Sequence, residues 1–144
     1  MKKEFLALLI LFIAAAGQFA NAAEGTIPKA ASKRIEAAIT RDERPDAGTV
    51  MALAEGGAIL VDVRSLEEWN AGHAKGALFL PVREVEAQAG KKILNKDSPI
   101  VTYCAVGGRA LSAAKTLRQL GYTHVTAMIG GFDDLKKAGY PITE

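Results

Sequence analysis

The 144-residue chain has one cysteine, Cys104, and few aromatic residues, which make up 6% of the sequence. A single cysteine excludes an internal disulfide framework, and it excludes a zinc site or iron–sulfur cluster that several thiolates hold. The charges are nearly balanced, with 18 basic and 16 acidic residues and a formal net charge of +2. This balance does not support a nucleic-acid partner. With 49% hydrophobic residues, the chain is suited to one folded domain and is too short for two.

The first 22 residues have the order of features that is typical of a secretory signal peptide. Residues 1–4 are a short basic start, residues 5–16 form an uninterrupted apolar run, and the small-x-small site Ala20-Asn21-Ala22 follows. Because a membrane-spanning helix needs about 20 apolar residues, we expect cleavage after Ala22 and not a retained anchor. The sequence therefore predicts a periplasmic or secreted protein with no stable membrane anchor after cleavage.

Residues 23–48 form a polar N-terminal extension to which the sequence assigns no chemistry. Within it, Ile35 and Ile39 are four positions apart, which predicts a short helix from Lys29 to Ile39 with one thin apolar face. From residue 49 onward, the sequence has the pattern of strands and helices that is typical of a folded domain.

In this second part, apolar runs alternate with helical patterns through short loops. The nearly continuous apolar run from Ala58 to Val63 predicts a parallel strand that is covered on both faces. Ser65 and Glu68 have the spacing of a capping box at the start of a short helix. Further strands are predicted at 77–80, 99–103 and 125–129, and further helices at 50–55, 82–89, 110–120 and 132–138. The pattern predicts an α/β domain with a mostly parallel central sheet and helices on both faces.

The loop from Cys104 to Arg109 joins a predicted strand to a predicted helix through Gly107 and Gly108. Glycines adopt backbone angles that other residues avoid, so successive N–H groups are able to turn inward as an anion-binding nest. The positive end of the helix and the Arg109 guanidinium strengthen this field. With Cys104 at the rim or floor of the cup, an anionic sulfur is favoured over the neutral thiol. The alternative is a buried, inert cysteine, which is a common role for a free thiol.

Four short motifs follow one another along the second part of the chain. They are Asp-x-Arg in 60–64, Gly-His-x-x-Gly-Ala in 72–77, Cys-x-x-Gly-x-Arg in 104–109, and the closing stretches Gly130-Gly131-Phe132 and Gly139-Tyr140-Pro141. In this order they resemble the motifs of the single-domain rhodaneses, a family of thiosulfate sulfurtransferases. The resemblance spans residues 49–142, and residues 121–125 are similar to the small exported members of the phage-shock type. Leu135 stands where the family often has tryptophan.

The resemblance implies a rhodanese-like domain over residues 49–144 and a two-step sulfur transfer. Cys104 would take the outer sulfur of thiosulfate, or of a related anion or persulfide donor, as a persulfide. It would then pass the sulfur to cyanide, a thiol or a protein thiol. Neither a metal nor an organic cofactor is implied. The implied substrate-binding residues are Ala105, Val106, Gly107, Gly108 and Arg109, the last as the charged anchor.

Asp62 and Arg64 lie at the carboxyl end of a predicted strand, where parallel sheets place their ligand sites. The resemblance implies that they are a supporting pair that fixes the active loop. The alternative is an exposed ion pair that contributes about 0–1 kcal/mol to stability.

Ala105 and Val106 stand where thiosulfate-active loops of the family often carry a basic or hydroxyl residue. Arg109 is therefore the one formal charge within the loop. We hypothesise that thiosulfate is a poor donor and that a less charged sulfane-sulfur compound is a better one.

Two other functions are weighed against this one. A cysteine-dependent phosphatase also holds an oxyanion above a thiolate, but its loop places five residues between cysteine and arginine, and this loop places four, from Ala105 to Gly108. A persulfide carrier or redox-sensing module without turnover is the second alternative, because the loop is only weakly basic.

Overall fold

The computed structural model describes residues 29–40 and 43–144. The predicted signal peptide, residues 1–22, lies outside the described residues. None of the described helices is long and apolar enough to cross a membrane. The described helices are α1 (Lys29–Thr40), α2 (Ala47–Glu55), α3 (Leu66–Asn70), α4 (Val85–Lys92), α5 (Gly108–Gln119) and α6 (Phe132–Lys137).

The strands of the described ranges form one parallel sheet and one small antiparallel pair. The four-stranded sheet has the order β3-β1-β4-β5, and every neighbouring pair in it is parallel. The pair β2 and β6 is antiparallel. This topology confirms the predicted α/β class with a mostly parallel central sheet. The strands are β1 (Ile59–Asp62), β2 (His73–Ala74), β3 (Leu78–Phe79), β4 (Ile100–Tyr103), β5 (Val125–Ala127) and β6 (Ile142–Thr143).

Helices cover both faces of the parallel sheet, as the apolar run predicts. All four residues of β1 are buried, and their side chains alternate between the two faces. Ile59 and Val61 belong to the core on the side of α4 and α5, whereas Leu60 belongs to the core on the side of α1, α2 and α6. The two central strands, β1 and β4, are therefore shielded from water on both faces. The positions that remain open to a ligand are at their carboxyl ends.

The predicted elements exist, but several of their bounds differ. The segment predicted as a helix over 82–89 begins as a 3-10 turn, Val82–Glu84, after Pro81, and continues as α4 to Lys92. Helix α5 begins two residues earlier than predicted, at Gly108, because the sulfur of Cys104 caps it from the preceding loop. The sequence does not predict strands β2 and β6, because two residues are too few to show an alternation of apolar and polar side chains.

Helix α1, which lies in the polar extension, packs on the core of the domain. Ala31 is 2% exposed and Ile35 is fully buried, and both belong to the cluster that includes Val50 and Leu53 of α2. The face predicted from Ile35 and Ile39 thus contacts the domain through Ile35, while the side chain of Ile39 lies outside the described part of the chain. The extension therefore contributes to the fold that positions the active loop.

Candidate active site

Cys104 follows β4 directly, and its sulfur caps the amino end of α5. The Sγ atom accepts hydrogen bonds from the backbone N–H of Gly107 at 3.0 Å and from that of Ala110 at 3.4 Å. A helix leaves its first N–H groups without partners within the helix, so they are free to bind an anion. Gly107 has a φ of 109°, a left-handed conformation that favours glycine. Two N–H groups, those of Gly107 and Ala110, therefore converge on the sulfur, and anion binding by the backbone of residues 105–109 stays a prediction.

The sulfur lies at the floor of the cup and not at its rim. Cys104 is fully buried, whereas Val106 in the loop above is 85% exposed. The thiol is thus shielded from water, but the neighbouring amides point toward it. An inert core cysteine needs no such convergent donors, so this geometry favours the chemical role.

Arg109, the predicted charged anchor, is paired with a carboxylate at the rim. Its Nη1 donates to Oε2 of Glu68 at 2.7 Å and its Nη2 donates to Oε1 at 2.9 Å. The hydrogen bond from Arg109 lowers the pKa of Glu68 to about 2. The same bond raises the pKa of Arg109. The predicted anchor therefore forms a bidentate ion pair with Glu68.

Asp62 and Arg64 form a buried ion pair, not an exposed one. The Nη2 of Arg64 lies 2.8 Å from Oδ2 of Asp62, and its Nε lies 3.0 Å from Oδ1. The same Nη2 donates to the carbonyl of Gly72 at 2.7 Å. Asp62 is fully buried and Arg64 is 4% exposed. These contacts tie the end of β1 to the start of β2.

The pair also reaches the strand that carries the cysteine. The hydroxyl of Tyr103, the residue before Cys104, donates to Oδ2 of Asp62 at 2.6 Å and accepts from the N–H of Ala74 at 3.1 Å. Burial raises the pKa of Tyr103 well above its usual value, and the Asp62 carboxylate raises it further. The phenol therefore remains a donor, and the contact fixes the end of β4 immediately before the sulfur.

Gly131, in the segment before α6, packs its backbone against the active loop. A Cβ at this position would overlap the carbonyl of Ala105 and would lie 2.9 Å from the carbonyl oxygen of Cys104. The N–H of Phe132 donates to that same Cys104 oxygen at 2.9 Å. The Phe132 ring stacks on the guanidinium of Arg64, 4.0 Å from its centroid. This explains why the closing motif needs a glycine beside the cysteine.

Arg44, from the polar extension, binds the back of the same loop. Its Nη2 donates to the carbonyl of Gly107 at 3.3 Å and to the carbonyl of Met128, and its Nε donates to the carbonyl of Ala127 at 3.2 Å. The guanidinium therefore joins the end of β5 to the left-handed residue of the loop.

Sequence reasoning missed Arg44 and the second role of Glu68. Arg44 lies in a run of mixed charges that is typical of a solvated surface, and no periodic pattern marks it. The capping box of Glu68 is confirmed, since Ser65 and Glu68 exchange hydrogen bonds. Its contact with Arg109, 41 residues away, has no local signal. Within the described ranges, no group of His, Cys, Asp and Glu side chains is suited to hold a metal ion.

The chain is similar to known proteins of one family. A sequence model of the rhodanese-like domain matches residues 46–138. Thiosulfate sulfurtransferase PspE of Escherichia coli K12 is 32% identical over 75 residues, 52% of this chain and 71% of that protein. Human thiosulfate:glutathione sulfurtransferase is 37% identical over 92 residues, 56% of this chain and 80% of that protein. The structure of a rhodanese with anions from E. coli aligns with a TM-score of 0.54 at 29% identity, covering 60% of this chain and 98% of that one.

Gly131→Ala tests the contact behind the loop. The added Cβ overlaps the Ala105 carbonyl, so the loop must shift. Because a displacement of about 1 Å at a reacting group can reduce the rate a hundredfold, we expect sulfur transfer from thiosulfate to cyanide to fall at least about tenfold. Gly90→Ala is the matched control, since a Cβ there meets nothing within 4 Å. Equal activity of the two variants would contradict the role of Gly131.

Arg44→Gln tests the link between the extension and the loop. The change removes charged donors from three main-chain carbonyls, and hydrogen bonds of this kind contribute about 1.5–3 kcal/mol each. We expect the free energy of unfolding in urea to fall by about 1.5–3 kcal/mol and sulfur transfer to fall with it. Lys33→Gln, at an exposed position of α1, is the control. Lower stability together with unchanged transfer would show that Arg44 does not position the loop.

Proposed function

Because the chain belongs to the rhodanese-like family and is a sulfurtransferase, we propose that it transfers a sulfane sulfur through a persulfide on Cys104. The donor is thiosulfate or a related compound, and the acceptor is a thiophile. The observation that carries this proposal is the pair of N–H groups, from Gly107 and Ala110, that bind the Cys104 sulfur. Substrate-binding roles for Ala105, Val106, Gly108 and Arg109, which complete the loop, belong to the same proposal.

In the first displacement, the Cys104 thiolate attacks the outer sulfur of the donor. A bond forms between Sγ and that sulfur, and the bond between the two sulfurs of thiosulfate breaks. The electron pair of the broken bond leaves with sulfite. The outer sulfur stays on the enzyme as an anionic persulfide, so covalent catalysis divides one difficult transfer into two steps.

The loop stabilises the negative charge on the Cys104 sulfur before this step, whereas afterwards the charge lies on the transferred outer sulfur. The start of α5 contributes only about 0.3–1 kcal/mol through its dipole, so the directed N–H groups must supply the larger part. A hydrogen bond to an anion contributes about 1.5–3 kcal/mol. Two such donors, already in place at 3.0 and 3.4 Å, need little reorganisation when the charge arrives.

In the second displacement, the acceptor attacks the outer sulfur and the Cys104 thiolate leaves. Cyanide becomes thiocyanate, and a thiolate becomes a persulfide. No external electrons enter either step. The human relative is named for glutathione as acceptor, which supports a thiol of this kind as one acceptor for this chain.

The pattern of the first 22 residues supports the further proposal that the protein is exported to the periplasm or to the cell exterior. We expect the protein recovered from outside the cytoplasm to have the mass of residues 23–144. Intact mass spectrometry of that protein checks the cleavage site. A mass that includes the first 22 residues would contradict both the cleavage and the loss of the anchor.

Cys104→Ser tests the persulfide directly. Serine preserves the shape of the side chain and a hydrogen-bond acceptor, but its oxygen does not form a persulfide, so we expect no transfer and an intact fold. The measurements are thiocyanate formation from thiosulfate and cyanide, and the gain of one sulfur atom in the intact mass.

The wild-type protein, treated in the same way, is expected to gain one sulfur atom with donor alone and to lose it with cyanide. Substantial transfer by Cys104→Ser would reject the assignment. One added sulfur without repeated turnover would instead identify a carrier.

A further inference from the structure

The rim of the active loop carries a cation whose charge is already neutralised. Arg109 donates both of its terminal nitrogens to the two carboxylate oxygens of Glu68, at 2.7 and 2.9 Å. The side chains are 38% and 33% exposed, so the pair lies at the protein surface beside the active loop, of which Arg109 is the last residue. A bidentate arginine–carboxylate pair fixes both groups in one geometry.

The other nearby cations are directed elsewhere. Arg64 is buried in its pair with Asp62. Arg44 donates to the carbonyl of Gly107, whereas the N–H of Gly107 points to the sulfur. Residues 105–108 of the loop carry no charge. The donor therefore meets uncharged loop residues and a rim pair with no net charge.

Glu68 is held in this position from two sides. Its Oε2 also accepts the N–H of Ser65 at 2.9 Å, as part of the capping box of α3. With its pKa at about 2, the carboxylate stays ionised under any ordinary assay condition. A donor that needs the charge of Arg109 must therefore displace a carboxylate that the fold has preorganised.

We propose that Glu68, by holding Arg109 in this pair, is a specificity-determining residue that disfavours dianionic sulfur donors relative to donors of lower charge. The inference rests on the proposed function, because it concerns the first displacement on Cys104. Thiosulfate brings two negative charges to this rim, whereas a donor of lower charge brings one or none. Each charge loses water at a neutral rim without gaining a cation, so thiosulfate binding is weakened more.

Methanethiosulfonate is the matched probe, because Cys104 attacks its terminal sulfur in the same way and methanesulfinate leaves in place of sulfite, but it carries a single charge. In Glu68→Gln, the glutamine keeps the capping box and releases the guanidinium of Arg109. We expect kcat/KM for thiosulfate to rise about tenfold, mainly through a lower KM, and that for methanethiosulfonate to change less than about threefold. Glu67→Gln, at an exposed position of the same helix, removes an equal charge without breaking the pair.

Two further variants test the role of Glu68 without relying on Glu68→Gln alone. In the double variant Glu68→Gln/Arg109→Gln, the gain for thiosulfate should disappear, because it depends on the released guanidinium. In Arg109→Gln alone, the uncovered carboxylate of Glu68 should lower kcat/KM for thiosulfate more than for methanethiosulfonate.

An unchanged donor ratio in Glu68→Gln, an equal gain in Glu67→Gln, or a gain that persists in the double variant would overturn this inference alone, provided that the wild type transfers sulfur. If the wild type transfers sulfur from neither donor and Cys104 gains no sulfur in the intact mass, the proposed function is wrong as well.

Discussion

The site depends on one interaction, the hydrogen bonds from the main-chain N–H groups of Gly107 and Ala110 to the sulfur of Cys104. A sulfur atom takes the place that a polar side chain usually has at the start of a helix. The geometry suits a thiolate, which presents a negative sulfur to fixed donors. The same hydrogen bonds thus cap the helix and serve the proposed chemistry.

The loop is held from three directions by groups that lie far apart in the sequence. Tyr103 bonds to Asp62 on the neighbouring strand, Gly131 brings a backbone segment against Ala105, and Arg44 binds the carbonyl of Gly107. Each contact fixes a main-chain position and leaves the N–H groups of the cup free for the sulfur. Because the donors belong to the backbone, their direction depends on this packing more than on the side chains of the loop.

The features that could be predicted from the sequence are those that local patterns carry. The run Ala58 to Val63 indicates a covered parallel strand, and the glycines after Cys104 indicate an anion nest, because each depends on neighbouring residues alone. The contacts of Arg44 and the pairing of Glu68 with Arg109 cross 63 and 41 positions. Such contacts arise only when packing brings distant segments together. The family resemblance marks which residues matter without giving their partners.

The complete burial of Cys104 has a kinetic consequence. Because Cys104 exposes no surface, a reagent reaches its sulfur only when neighbouring groups move aside. For the proposed sulfur transfer, the frequency of that movement would set a ceiling on the turnover number, however fast the bond exchange itself is. At the same depth, a persulfide on Cys104 would be kept from bulk oxidants and stray thiols between such movements.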